Sequence, residues 1–195
     1  MAIGQPARMA AQRCLVSLRH YHDWPVLVAA DGPVKGGEVV KTKDAGWGGR
    51  QAKLDWLLSS PFDETLYLDA DTLIRGSLDG GFRALQDGWE LALTPSSRQG
   101  ADVLGNLAER DRQATVRDVG SEWLLGLQAG VLFWRKCQAI ARLAECWLEE
   151  WARFGREDQG AFLRALWRAP VRLWLLSREW NGGSLVDHRF GAARA

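Results

Sequence analysis

The sequence has few of the residues that mark disulfide-rich, nucleic-acid-binding or membrane-spanning proteins. Its three cysteines, Cys14, Cys137 and Cys146, are odd in number and widely spaced. This fits neither a disulfide scaffold nor a zinc site, and it indicates buried thiols in a reducing compartment. The 25 basic and 24 acidic residues nearly cancel, whereas a nucleic-acid-binding protein normally carries a basic surplus. We therefore expect no nucleic-acid partner.

Long apolar runs are also missing. The longest span only a few residues, far short of the ~20 that a membrane helix requires. No transmembrane segment is therefore expected. The N-terminus lacks the apolar core of a signal peptide, which indicates a cytoplasmic location.

Hydrophobic residues, at 47% of the chain, are numerous enough to fill a core, and eleven of them are tryptophans. Tryptophan packs in cores and interfaces, and its faces also suit sugar rings. A homo-oligomer is one possibility, because exposed tryptophans can form a contact surface between copies of the chain. Oligomeric state is not decided by composition.

Hydrophobic spacing predicts strands that alternate with helices. Apolar residues at helical spacing form one stripe within residues 7–18 and another within 140–154, and shorter helices are expected at 50–59, 82–87 and 158–168. Strands are expected at 26–30, 65–68, 89–94, 127–134 and 171–175. Residues 95–122 are interpreted as a partly helical surface excursion and 181–195 as a loop.

This order predicts an α/β fold with a mostly parallel central sheet and helices on both faces. The length favours a single domain over residues 1–195. Only residues 1–3 precede the first helix, so the first strand of such a sheet is expected to be truncated.

Asp69 and Asp71 are the strongest chemical signal in the chain. They follow the apolar strand 65–68, and ligands of open α/β sheets bind outside the carboxyl ends of strands. Two carboxylates at this spacing project the same way and suit Mg²⁺ or Mn²⁺. A turn with a helix cap would use the same residues. A haloacid-dehalogenase-type phosphatase also begins with a strand followed by Asp-x-Asp. That family has a hydroxyl residue four positions after the first Asp, but here Leu73 occupies that position and Thr72 comes one residue too early.

Segment 53–74, which contains Leu-Tyr-Leu-Asp-Ala-Asp, resembles the Asp-x-Asp region of retaining nucleotide-sugar glycosyltransferases of family 8 and its glycogenin branch. Three later segments agree with that family in the same order. Residues 127–133 resemble its Asn-(Ala/Ser)-Gly-Val strand, with Gln128 in place of asparagine. Residues 158–160 match its Asp-Gln-Gly helix start. Residues 188–194 are similar to its His-x-x-Gly-x-x-Lys ending, with Arg194 in place of lysine.

The resemblance implies a GT-A-like fold and assigns roles to particular residues. The implied ligands of Mn²⁺ or Mg²⁺ are Asp69, Asp71 and His188. Asp158 and Gln159 would lie beside the anomeric carbon as sugar-positioning and stabilising catalytic groups. The implied donor-binding set is Ala2, Ile3, Gly4, Lys53, Asp69, Ala70, Asp71, Gln128, Ala129, Gly130, Gly191 and Arg194. Trp180 and Asn181 resemble a Trp-Asn pair of some relatives and would form a wall for the acceptor.

The function that the resemblance implies is metal-dependent transfer of a sugar from a nucleotide diphosphate donor, UDP-linked, to a hydroxyl acceptor with retention of anomeric configuration. Two alternatives stay open. One is the phosphatase named above, and the other is a non-catalytic sugar- or partner-binding remnant of the same fold.

Overall fold

The computed structural model describes residues 2–41, 53–54, 58–154 and 158–189 of the chain. Five complete α-helices lie in these ranges: α1 (Gln5–Arg19), α2 (Asp79–Gln86), α3 (Glu109–Val119), α4 (Gln138–Phe154) and α5 (Asp158–Arg168). Residues 53–54 and 58–59 are also helical, within the predicted helix 50–59, whose other residues lie outside the described ranges. None of the described helices combines the length and the apolar character that crossing a membrane requires.

Eight strands form three sheets among the described residues. The strands are β1 (Leu27–Ala30), β2 (Glu38–Lys41), β3 (Glu64–Leu68), β4 (Thr72–Ile74), β5 (Leu91–Gly100), β6 (Leu124–Arg135), β7 (Leu173–Leu175) and β8 (Val186–His188). The central sheet has the order β3-β6-β5-β7, while β1 pairs with β2 and β4 with β8. Ala2 forms a single parallel bridge to Ala30 beside β1.

The α/β prediction is confirmed, but the expectation of a mostly parallel sheet is wrong in detail, because the central sheet is mixed. Strand β6 runs antiparallel to both β3 and β5, and β7 runs parallel to β5. The cause is the segment between β5 and β6. It returns the chain to the end of the sheet where β5 stops, so that Gly100 pairs with Leu124 and β6 runs back.

Helices cover both faces of the central sheet, as predicted. Neighbouring residues of β6 point to opposite faces. Leu132 and Trp134 join the core under α4 and α5, whereas Val131 and Phe133 join the core under α2 and the end of α1. The predicted stripe of α1 is buried in full, and its members are Ala7, Ala10, Ala11, Cys14, Leu15 and Leu18.

The structure also departs from the predicted element boundaries. Strand β5 continues to Gly100 past Pro95, where a register shift interrupts the ladder and tolerates a residue without an N–H. The excursion after β5 contains α3, as expected of a partly helical segment. The tail, predicted to be a loop, contains β8, because pairing with β4 stabilises three residues that show no periodicity of their own.

Buried charges hold α3, α4 and α5 together. We call Asp111, Glu150, Arg153, Arg164 and Arg168 the helix charge cluster. The side chain of Arg164 is 1% exposed and donates to Asp111 at 2.6 Å and to Glu150 at 2.8 Å. Arg153 and Arg168 also donate to Glu150, at 2.6 and 2.7 Å. Burial alone raises the pKa of Glu150, but these three arginines bring it below the ordinary glutamate value.

A cavity of about 560 Å³ lies between β1, β3 and α1. Consecutive residues of β1 and of β3 line it, so it runs along the edges of these strands rather than over one face. Most of its lining is apolar. Lys53 and Ala70 are also part of the lining, and the cavity therefore extends to the turn that follows β3.

Candidate metal and donor site

The turn after β3 fixes the two carboxylates that the sequence singled out. The Asp69 N–H donates to the Gly130 carbonyl at 2.8 Å, which attaches the end of β3 to β6. Both the N–H and the hydroxyl of Thr72 donate back to the Asp69 carbonyl, at 3.2 and 2.8 Å. Asp69 and Asp71 therefore belong to a tight turn of fixed shape that leads directly into β4.

Strand β8 brings His188 to this turn from the far end of the chain. Thr72 of β4 stands opposite His188 of β8 in the antiparallel register. The Arg189 N–H donates to the Asp71 carbonyl at 2.9 Å, so the backbone of the turn also contacts the end of β8. The placement of His188 is thus set by strand pairing, which orders it before any ligand binds.

Asp69, Asp71 and His188, which we call the metal trio, converge on one point. His188 Nε2 lies 3.2 Å from Asp71 Oδ1 and 3.8 Å from Asp69 Oδ2. One ligand atom from each of the three lies within 4.8 Å of the others. Two carboxylate oxygens and one imidazole nitrogen fit Mn²⁺, and the carboxylates also fit Mg²⁺.

Gly130 of β6 packs directly against the trio. A Cβ added at this position would lie within 3.0 Å of both the His188 ring and the Asp69 carboxylate. Any side chain would therefore push the imidazole or the carboxylate away from the common point. The resemblance placed Gly130 in the donor-binding set, and the structure places it against the side chains of His188 and Asp69.

Two neighbours act on Asp69. The Tyr67 hydroxyl donates to Asp69 Oδ1 at 2.6 Å, and the Lys53 ammonium lies 3.6 Å from the same oxygen. Burial alone raises the pKa of the Asp69 carboxyl, but Lys53 and Tyr67 together bring it below its ordinary value. Asp69 is therefore ionised at neutral pH, which a metal-ligating carboxylate requires.

Lys53 is held in place by a second contact. Its ammonium donates to the Ala129 carbonyl at 2.9 Å and lies 5.1 Å from the centre of the Tyr67 ring. Only 9% of its side chain is exposed. Three of the predicted donor-binding residues, Lys53, Ala129 and Gly130, are thereby grouped around Asp69.

Other predicted residues lie in different surroundings. Ala2 is buried beside β1, where its N–H donates to Ala29 and its carbonyl accepts from Asp31. The Gly4 N–H donates to the Asp31 carboxylate at 2.9 Å, and Gly4 has a φ of 82°. Ile3 connects these two contacts. Ala70 separates the two carboxylates and lines the cavity, while Gln128 pairs with Thr94 in the central sheet.

The predicted catalytic pair begins α5. Asp158 is its first residue. Gln159 follows, and its buried amide nitrogen has no hydrogen-bond partner among the described residues. Across the described ranges, no hydrogen bond or ion pair joins Gln159 to the metal trio. Among the described side chains, Gln159 therefore has no direct bond to the trio. Gly191 and Arg194, predicted for the donor phosphates, lie outside the described residues.

The sequence reasoning missed two contributors to the site. Tyr67 stands two residues before Asp69, and the alternation of a strand indicates that the two share a face. Asn181 was assigned to an acceptor wall, but its Oδ1 lies 2.5 Å from His188 Nδ1. No sequence signal shows that contact, because it depends on how the loop before β8 folds.

Comparison with known proteins yields a fold but no sequence relative. No family model and no curated protein matches the chain. Mouse xyloside xylosyltransferase 1, in its apo form, matches with a TM-score of 0.58 at 12% identity, over 92% of this chain and 84% of that one. The galactosyltransferase LgtC, solved with donor and acceptor sugar analogs, matches with a TM-score of 0.54 at 15% identity, over 91% and 73%.

The glycosyltransferase GlyE of Streptococcus pneumoniae TIGR4 matches with a TM-score of 0.56 at 14% identity. That match covers 92% of this chain and 45% of GlyE, so this chain corresponds to less than half of that protein. Identities this low establish fold and nothing finer. The chain has the GT-A-like α/β fold that these glycosyltransferases share.

Proposed function

We propose that the chain is a metal-dependent glycosyltransferase that moves a sugar from a nucleotide diphosphate donor, UDP-linked, to a hydroxyl acceptor with retention of anomeric configuration. The observation that carries the proposal is the convergence of Asp69, Asp71 and His188 within 4.8 Å at the end of β3. The likeness to a xylosyltransferase and a galactosyltransferase adds the chemical class, namely sugar transfer.

The surrounding residues suit this chemistry. A divalent ion held by the trio would neutralise charge on the departing diphosphate and is worth several kcal/mol in the transition state. Asp69 is kept ionised by Lys53 and Tyr67, and both contacts also fix its carboxylate in one orientation. Lys53, already anchored on β6, supplies a second positive charge beside the carboxylates for a bound anion.

The remaining predicted roles belong to the same proposal. Asp158 and Gln159 would position the sugar near its anomeric carbon. The buried Gln159 amide nitrogen has no partner among the described residues and would donate to a hydroxyl group. Ala2, Ile3 and Gly4 would contact the base and ribose, with Ala70, Gln128, Gly191 and Arg194 completing the donor site. Mn²⁺ or Mg²⁺ is the proposed cofactor.

Calorimetry with UDP, in the presence and absence of Mn²⁺, tests the donor class and the ion together. We expect UDP to bind with Mn²⁺ and far more weakly with chelator. A panel of UDP-sugars should then release UDP only with the ion, and NMR of the transferred sugar reports the anomeric configuration. Equal UDP release with and without Mn²⁺ would overturn the proposal.

Two variants locate the effect in the trio. Asp71→Ala should abolish ion-dependent UDP release. Asp187→Ala is the matched control, because Asp187 is an acid next to His188 in the chain but pairs with Arg75 and Arg189. Hydrolysis of simple phosphate esters with Mg²⁺ would instead favour a phosphatase. Saccharide binding that chelator leaves unchanged, without donor turnover, would favour a binding remnant.

A further inference from the structure

The loop before β8 folds one polar side chain against the back of the His188 ring. The N–H groups of Gly182 and Gly183 both donate to the Val186 carbonyl, at 2.8 and 3.1 Å, and close a tight turn. This turn places Asn181 beside His188, with 2.5 Å between Asn181 Oδ1 and His188 Nδ1. Both residues are 8% exposed, so water competes little for this contact.

This contact determines where the imidazole carries its proton. A carbonyl oxygen can only accept, and the hydrogen of this bond must therefore come from His188 Nδ1. In the neutral ring, Nε2 then has a lone pair rather than a hydrogen. That lone pair faces Asp71 Oδ1 at 3.2 Å and Asp69 Oδ2 at 3.8 Å. A divalent ion at this point would accept that lone pair together with one oxygen from each carboxylate.

The opposite amide orientation would produce a different site. Asn181 Nδ2 would then donate to His188 Nδ1, and Nε2 would carry a hydrogen directed at Asp71. In such a site, His188 donates a hydrogen bond to the Asp71 carboxylate and offers no nitrogen lone pair to an ion. The direction of one buried amide thus separates a metal-binding histidine from a merely structural one.

We propose that Asn181 is a positioning residue that keeps the His188 proton on Nδ1 and so presents the Nε2 lone pair to a divalent ion, together with Asp69 and Asp71. The proposal rests on the proposed function in one respect, that an ion binds the trio. Metal-ligating histidines commonly donate their other ring N–H to an oxygen acceptor, which fixes both tautomer and ring orientation. Within the part of the chain that the structure describes, Asn181 Nδ2 is buried without a partner, and the hydrogen bond given for this amide is the one with His188.

The tautomer can be read directly from metal-free protein. The chain has three histidines, so long-range ¹H–¹⁵N NMR of the rings gives three patterns. His22 is an internal reference, because its Nε2 accepts the Leu78 N–H at 2.9 Å and its proton is therefore on Nδ1. We expect the neutral His188 ring to show the same pattern as His22. A proton on Nε2 of His188 would overturn the proposal.

Ion affinity then separates positioning from packing. Asn181→Leu should lower Mn²⁺ affinity in calorimetry by about 10–100-fold, which is typical for loss of an outer-shell partner. It should also move the His188 proton toward Nε2. Asn181→Asp keeps an acceptor at the same place and should recover most of the lost affinity, with the His188 proton back on Nδ1.

Two controls complete the test. Ser184→Asp adds the same negative charge at an exposed position of the same loop. It should not raise Mn²⁺ affinity, whereas Asn181→Asp should bind Mn²⁺ more tightly than Asn181→Leu does. Equal losses in folded Asn181→Asp and Asn181→Leu proteins would refute a positioning role. If the unaltered protein shows the Nδ1 tautomer but no Mn²⁺ binding, the proposed function fails, while the effect of Asn181 on the tautomer stands by itself.

Discussion

The helix charge cluster and the metal trio both place carboxylates in low-exposure surroundings, but they satisfy them differently. In the cluster, Glu150 receives three arginines and Arg164 also reaches Asp111, so every acid has a donor in contact. In the trio, the Lys53 ammonium lies 3.6 Å from Asp69, and the His188 imidazole lies close to both carboxylates. The first arrangement is complete without a ligand. The second directs two carboxylates and one imidazole at one point, which is the arrangement expected of a cation site.

The largest effect on stability should come from disrupting the helix charge cluster. We expect Arg164→Ala to lower the free energy of unfolding by about 3–5 kcal/mol, because it leaves Glu150 and Asp111 buried with fewer donors. Urea unfolding measures the loss. The Mn²⁺ affinity of the folded protein should be unchanged, since no described contact joins Arg164 to the trio. A loss below about 1 kcal/mol, the scale of an exposed ion pair, would contradict the structural role.

A substitution in the metal trio tests the other side of the comparison. Asp71→Asn should lower Mn²⁺ affinity by roughly 100-fold or more, since outer-shell changes alone cost about 10–100-fold. The metal-free protein should be as stable as before or more stable, because repulsion between two close carboxylates is removed. Calorimetry and urea unfolding give the two quantities. If stability falls as far as in Arg164→Ala, the trio is structural and the contrast between the regions disappears.

A pH titration of stability sharpens the contrast without any ion. The folded pKa of Glu150 is below its ordinary value of 4.5. Its contribution is therefore fully present above about pH 4.5 and is lost as pH falls through the lower, folded pKa. Urea unfolding at several pH values should show this fall, with a shallower slope in Glu150→Gln. The same slope in both proteins would show that the cluster does not hold Glu150 ionised.

The smallest effect is expected at the surface of β4 and β8. Arg75 and Asp187 form an exposed pair at 3.3 Å, and such pairs contribute about 0–1 kcal/mol. Arg75→Ala should therefore change the free energy of unfolding by no more than this and leave Mn²⁺ affinity unaltered. A drop in affinity would mean that this pair, and not backbone pairing alone, holds His188 in place.

Strong local patterns made part of this molecule predictable. The buried stripe of α1 and the position of Asp69 and Asp71 after β3 were indicated by spacing and by strand polarity. His188 came from resemblance, and its contact with the carboxylates depends on the β4–β8 register, which strands of three residues do not reveal. The pairing of Arg164 with Asp111 was not foreseen, because contacts between different helices leave no trace in residue spacing. Strand direction was missed for a similar reason, since it depends on where segment 101–123 ends.

The late arrival of His188 has a consequence for how the protein matures. The two carboxylates lie in the first half of the chain, whereas the imidazole is supplied by β8, so during synthesis the acids exist well before their third partner. Under the proposed function, ion binding would be linked to the docking of β8 on β4, and an ion in the trio would stabilise that docking by mass action. A bound manganese ion would stabilise the pairing of β8 in addition to serving the reaction. Its removal should first loosen the segment around β8.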